Sequence, residues 1–205
     1  MIFLQRHGEC NANESGIYAC RELDPDLTEQ GLKEAQASVP FFAKVGIRKI
    51  LSSPSRRAIQ TAKAISADLR CDIEINSLLM EVDVGNFEGQ SYHSDAFSSE
   101  RFFEFFHEWL VEHKDSRFPG GESRKDVEGR VRKLEKIIFS FPTILVGHAG
   151  LFAFYLGQRR RFDDVRELFL PNGGIAYYSE SKRDWIIKDK VEQSAALEFH
   201  SAGAP

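Results

Sequence analysis

Residues 1–9, MIFLQRHGE, run a short apolar stretch (Ile2, Phe3, Leu4) straight into Arg6 and His7. Residues 143–150, TILVGHAG, do the same, with Thr143 to Val146 ending on Gly147-His148. Unbroken apolar runs this short read as strands buried on both faces. Lys49-Ile50-Leu51 is another, stopping at Ser52-Ser53. Helical patterns lie between them. Thr28 to Phe42 is expected to break near Pro40, and Arg56 to Leu69 carries Ala58, Ile59, Ala62 and Ile65 on one face. Ser99 to His113 is helical and rich in aromatics; Ser123, with Asp126 three residues on, opens a capped helix expected to reach about Phe141. Alternation over Ile73 to Leu79 predicts a further strand, and Ile175–Tyr178 with Trp185–Ile187 a closing hairpin.

Strands alternating with helices predict an α/β fold, a three-layer α/β/α sandwich with a mostly parallel central sheet. Ligands of such sheets bind beyond the carboxyl ends of the strands. Arg6-His7, Ser52-Ser53 and Gly147-His148 all fall there. The 205 residues show no repeat or linker and are expected to form one domain, 1–205.

A net charge of -4 argues against a nucleic-acid binder. Three cysteines without a CxxC spacing argue against a disulfide framework or a zinc knuckle. No apolar run has membrane-spanning length. Arg6, His7 and Glu9 cut the first apolar stretch too short for a signal peptide, so the default expectation is cytoplasmic, with no membrane partner.

Arg6, His7, Arg57, Glu81 and His148 recur at or just beyond strand ends. Two imidazoles and two guanidiniums in one crevice suit a dianionic phosphoryl group, because arginine offers a planar fork and stays charged. A neutral imidazole attacking phosphorus would give a phosphohistidine and divide one hard displacement into two. A carboxylic acid nearby would protonate the leaving alkoxide and then deprotonate water. Glu81, in the stretch LLMEVDVGNFEG, is placed to do this.

These residues resemble the histidine phosphatase superfamily, the phosphoglycerate mutase-like enzymes. Arg6-His7-Gly8-Glu9 with Asn13 resembles its RHGExxxN signature, and Leu27 to Gly31 with Ala35-Gln36-Ala37 its LTExGxxQA helix. Ser52 to Ala62 resembles SSxxxRAxQTA, placing the phosphate-binding arginine at Arg57 rather than Arg56. Glu81 with Gly85, Phe87, Glu88 and Gly89 resembles ExxxGxWEG, and Val146 to Gly150 the second-histidine motif. RHG alone is a weak match; five blocks in order are a strong one. The resemblance implies His7 as nucleophile, Arg6, Arg57 and His148 as phosphoryl ligands and Glu81 as general acid and base. It places Gly8, Glu9, Asn13, Gly147 and Ala149 around the substrate, with Asn13 and the Ala149 N–H as donors. It implies a small-molecule phosphate ester as substrate, and no metal or other cofactor. Cys10, Ala12, Asp26 and Phe87 depart from the family's usual residues and bear on the substrate rather than the reaction.

An insertion at about 90–122 is expected to cover the site. Its helix shows an apolar face of Phe102, Phe103, Phe105, Phe106, Trp109 and Leu110, read as core, substrate lid or homodimer contact, before a PGGES turn of the phosphatase branch. An apolar lid favours an uncharged or aromatic leaving group, while Arg101, Lys114 and Arg117 leave an anionic one open. The expectation is a metal-independent phosphomonoesterase. The alternatives are a phosphoglycerate mutase-type phosphotransferase and a catalytically silent phospholigand-binding protein; a metal-dependent hydrolase lacks a ligand cluster. Arg56 reads as solvated, the run Arg159–Arg161 as a solvated helix end, Cys10 as a small buried filler ahead of a redox-sensitive thiol, and the tail after Lys190 carries no motif.

Overall fold

The structure is a computed structural model and describes residues 1–137 and 140–188. Its elements are β1 (Ile2–Arg6), α1 (Asn11–Glu14), α2 (Glu29–Ala37), α3 (Val39–Val45), β2 (Lys49–Ser52), α4 (Arg56–Leu69) and β3 (Asp72–Ile75). They continue with α5 (Ser99–Leu110), α6 (Arg124–Glu135), β4 (Thr143–Gly147), α7 (Ala149–Gly157), β5 (Ile175–Ser179) and β6 (Asp184–Lys188). The strands form one sheet in the order β3-β2-β4-β1-β5-β6. β1 to β4 pair in parallel, and β5 is antiparallel to both its neighbours, so β5 alone runs against the others.

Strand alternation sorts the side chains into two cores. Phe3, Ile50, Ile144 and Val146 point to the layer of α2, α3 and α4, among Phe41, Phe42, Ala58, Ala62 and Ile65. Leu4, Leu51, Leu145 and Ala176 point to the other layer, among Phe106, Trp109, Val127, Val131 and the α7 residues Leu151 to Leu156. This is the expected α/β/α arrangement, with the ends of β1, β2 and β4 on one edge. Among the described residues no helix is long and apolar enough to cross a membrane.

Several boundaries differ from expectation. β3 stops at Ile75, because the Asn76 side chain accepts the Leu78 N–H at 2.9 Å and starts a 3₁₀ turn over Ser77–Leu79. The α2–α3 break falls at Ser38, and Pro40 sits in the first turn of α3, where a missing N–H costs nothing. α5 ends at Leu110 and α6 at Glu135; part of the longer helix expected to Phe141 falls on residues 138–139, outside the described residues, as does the tail after Lys190. Arg159 is not solvated as expected: its guanidinium lies 3.7 Å from the Tyr155 ring centroid and pairs with Glu135.

The aromatic face of α5 is taken up within the chain. Phe106 and Trp109 are fully buried and pack on Phe118, while Trp109 Nε1 donates to the Ser116 carbonyl at 2.8 Å. Phe102 and Phe103, one turn earlier, reach the cavity described next.

Candidate active site

β1 delivers His7 to the sheet edge. The His7 N–H donates to the carbonyl of Gly147, the last residue of β4, at 3.0 Å, continuing the β1–β4 ladder one residue past β1. The ring is then fixed from its own loop. Nδ1 lies 2.7 Å from the Gly8 carbonyl, which can only accept, so Nδ1 carries the proton and Nε2 keeps its lone pair. Gly8 is held in turn, its N–H donating to the Thr61 hydroxyl at 3.1 Å. A glycine is required there: a Cβ on Gly8 would fall 2.1 Å from the Gly31 carbonyl oxygen. Gly31 meets Glu9 equally closely, so α2 packs backbone to backbone against the His7 loop.

Arg57, on the first turn of α4, is almost completely buried between the two histidines. Its Nε donates to His7 Nε2 and its Nη2 to His148 Nδ1, both at 3.3 Å. Nη2 is also held by the Ala19 and Cys20 carbonyls at 3.1 Å. Receiving at Nδ1, His148 carries its proton on Nε2 and donates to the Ser53 and Ser55 hydroxyls at 2.8 and 2.9 Å. The two imidazole centroids are 5.2 Å apart. Burial pushes both well below the usual histidine range, and the Arg57 charge pushes the same way, so both are neutral. Arg6 donates from Nη1 to the Leu170 carbonyl at 2.7 Å, and its buried Nε has no partner.

Glu81 faces them from the start of α7. Its carboxylate accepts the N–H groups of Gly150 (3.1 Å), Leu151 (2.9 Å) and Val82 (2.8 Å), so it sits on the positive end of the helix. Gly150 admits it: a Cβ there would lie 2.9 Å from Glu81 Oε1.

A cavity of about 280 Å³ opens onto this cluster. Five of the expected site residues line it: Arg6, His7, Asn13, Glu81 and Ala149. Arg57 and His148 lie behind His7, outside the lining. The Asn13 amide is oriented by Cys10, whose N–H and Sγ both donate to Oδ1 at 3.2 and 3.1 Å, leaving Nδ2 directed to the Tyr92 hydroxyl. Cys10 is thus buried, as expected, but also sets the amide. Gly8, Glu9 and Gly147 do not line the cavity. Glu9 instead accepts the Thr28 hydroxyl at 2.8 Å and builds the α2 contact, while Gly147 supplies the His7 backbone partner.

Sequence reasoning missed the residues that hold these groups in place. Glu88 Oε1 accepts the N–H groups of Cys20, Arg21, Glu22 and Leu23 at 2.8–2.9 Å, shaping the loop that grips Arg57. Glu122, from the PGGES turn, accepts from Arg21 Nη2 and Arg130 Nη2, each at 2.8 Å, and from the Asp83 N–H at 2.9 Å. Both arginines donate to the Glu81 main-chain carbonyl, at 3.1 and 3.4 Å. The signal was present in two quoted motifs, but the partners lie 8 to 101 positions away along the chain.

The family model for the histidine phosphatase superfamily (branch 1) matches residues 2–191. The chain is 34% identical over 209 residues to the Salmonella newport protein named "Probable phosphoglycerate mutase GpmB", covering 97% of this chain and 94% of that one. It is 31% identical over 151 residues to phosphoserine phosphatase 1 of Hydrogenobacter thermophilus, covering 72% and 70%. It also spans 38% of the length of longer mycobacterial relatives. A mycobacterial glucosyl-3-phosphoglycerate phosphatase, Rv2419c, solved with VO3, shares the fold with a TM-score of 0.71 at 24% identity, over 91% of this chain and 96% of that one. With its two histidines, two arginines and glutamate gathered at one sheet edge, the chain belongs to the histidine phosphatase superfamily, branch 1, whose relatives here are named as phosphatases and phosphoglycerate mutases.

Proposed function

We propose that the chain hydrolyses phosphomonoesters of small molecules through a phosphohistidine at His7, without a metal. The observation that carries this reading is the His7 ring: neutral, its proton locked on Nδ1 by Gly8, and its Nε2 unprotonated, accepting from an Arg57 Nε–H that passes to the phosphoryl oxygens as the ring attacks. In the first step Nε2 attacks phosphorus and the ester P–O bond breaks. The Glu81 carboxylic acid gives its proton to the departing oxygen. Arg6, Arg57 and the Ala149 N–H stabilise the charge gathering on the phosphoryl oxygens. In the second step Glu81 takes a proton from water, which attacks phosphorus, breaks the P–N bond and releases phosphate with His7 restored.

Among the described residues no three His, Cys, Asp or Glu side chains are grouped as metal ligands. The described residues that line the cavity also include no second set of cations for a bisphosphate, which favours water over a second hydroxyl as acceptor. Turnover of p-nitrophenyl phosphate in excess EDTA, abolished in His7→Ala, is the expected result. Activity lost with EDTA and restored by a metal would sink the mechanism. Interconversion of phosphoglycerates faster than phosphate release would replace hydrolysis by transfer, and phosphate binding without turnover of any ester would leave a silent binding protein.

A further inference from the structure

Resting on that hydrolase reading, we infer that the site selects phosphomonoesters whose alcohol portion is uncharged and apolar or aromatic, and rejects those carrying a carboxylate. Beyond the phosphoryl end, the cavity wall is dominated by Tyr18, Tyr92, Phe102, Phe103 and Phe169, and its smaller polar members, Asn13, Cys20 and Ser99, are uncharged. The tyrosines are neutral, since burial pushes both phenols up. Among the described residues Arg6 and Glu81 are the only Arg, Lys, Asp or Glu side chains lining the cavity, and both belong to the phosphoryl chemistry.

The cations that left an anionic substrate open are engaged elsewhere or point away. Lys114 pairs with Glu112, and Arg117 with Asp126 at 2.8 Å. Arg101 is exposed and outside the lining. Arg166 lies over Phe103, 4.9 Å from its centroid, but pairs with Asp164 at 3.0 Å and does not line the cavity either. A substrate carboxylate would lose its water against aromatic rings, find no cation but the Arg6 already taken by the phosphoryl group, and share the cavity with Glu81. Burying an unpaired charge in this way is strongly unfavourable. A flat ring or alkyl chain gains contact area with five aromatic side chains instead.

The inference separates this chain from the relatives named for phosphoserine and phosphoglycerates, whose substrates carry that carboxylate. It is tested with two matched pairs: glycerol 1-phosphate against 3-phosphoglycerate, and benzyl phosphate against 4-carboxybenzyl phosphate. Within each pair, kcat/KM should favour the uncharged member by on the order of 100-fold, with benzyl phosphate the best of the four. Ser99→Arg and Phe103→Arg each put a cation on the wall, and either one that folds should shrink both ratios at least tenfold. Ratios near one, or a preference for the carboxylates, would overturn the inference while leaving hydrolysis intact. Turnover of none of the four would remove the hydrolase reading and the inference with it.

Discussion

Glu122→Gln tests whether the ion cluster behind Glu81 serves catalysis as well as folding. Glu122 is 13% exposed, Arg130 12% and Arg21 24%, so all three are largely shielded. Glutamine removes the charge and turns one acceptor oxygen into a donor that faces guanidinium N–H groups. Two charge-assisted bonds at about 1.5–3 kcal/mol each are lost or inverted. Residual exposure and the Asp83 carboxylate, 4.0 Å from Arg21, soften the loss to about 3 kcal/mol. For a chain of this size that lowers Tm by about 6–12 °C. The Glu81 main chain then loses its two-sided grip, and a displacement approaching 1 Å costs roughly 100-fold in a positioned reaction. The cost should appear only where proton donation matters. kcat/KM for benzyl phosphate should fall about 10- to 100-fold, whereas p-nitrophenyl phosphate, whose leaving group departs without a proton, should lose no more than about threefold. Calorimetry and both kcat/KM values, taken well below the melting range, decide it. Equal losses for the two esters would show that Glu122 does not act through Glu81, and an unchanged Tm would refute the energetic reasoning.

Gly150→Ala puts a methyl 2.9 Å from Glu81 Oε1 and 3.2 Å from Phe106 Cζ; benzyl phosphate turnover should fall at least about tenfold with a Tm change of only a few degrees, and wild-type turnover would show that the carboxylate does not need its seat on α7. Glu88→Gln loosens the loop whose carbonyls hold Arg57, so inorganic phosphate should inhibit roughly tenfold more weakly; an unchanged inhibition constant counts against that role. His7 and His148 stay neutral in the folded chain but take up protons when unfolded below about pH 6.5. Stability should therefore fall as pH drops through 6.5, with a limiting slope from this pair of about 2.7 kcal/mol per unit. Urea melts at pH 7.5 and 5.5 read it, and His148→Gln should remove half of that share; an undiminished slope would contradict the burial argument.

The strands that position the candidate site were legible because their short apolar runs end abruptly on polar residues. Ile2 to Leu4 and Thr143 to Val146 bury both faces, and Arg6, His7 and His148 follow at once. α7 was missed for the opposite reason. From Leu151 to Leu156 it is buried on every face, so no amphipathic period marks it. The strand expected to Leu79 was too long because apolar alternation continued through Asn76 while the side chain of Asn76 was capping a turn. The candidate site's groups were readable as residue types at or beyond strand ends. Their supports were not, since Glu122 joins Arg21 to Arg130 across three separate segments, and only packing brings those together.

The single reversed strand, β5, has a practical consequence. Because the other five strands run one way, the edge opposite the site carries their starts together with the end of β5. The turn at Gly46, which begins in left-handed backbone with open space around the Cα, and the left-handed Arg70 after α4 both lie there. That edge is neutral ground for engineering. An affinity tag, a fluorophore or a fused domain inserted after Gly46 would be separated from His7 by the length of the strands, and the protein could be tethered there with its cavity facing solution.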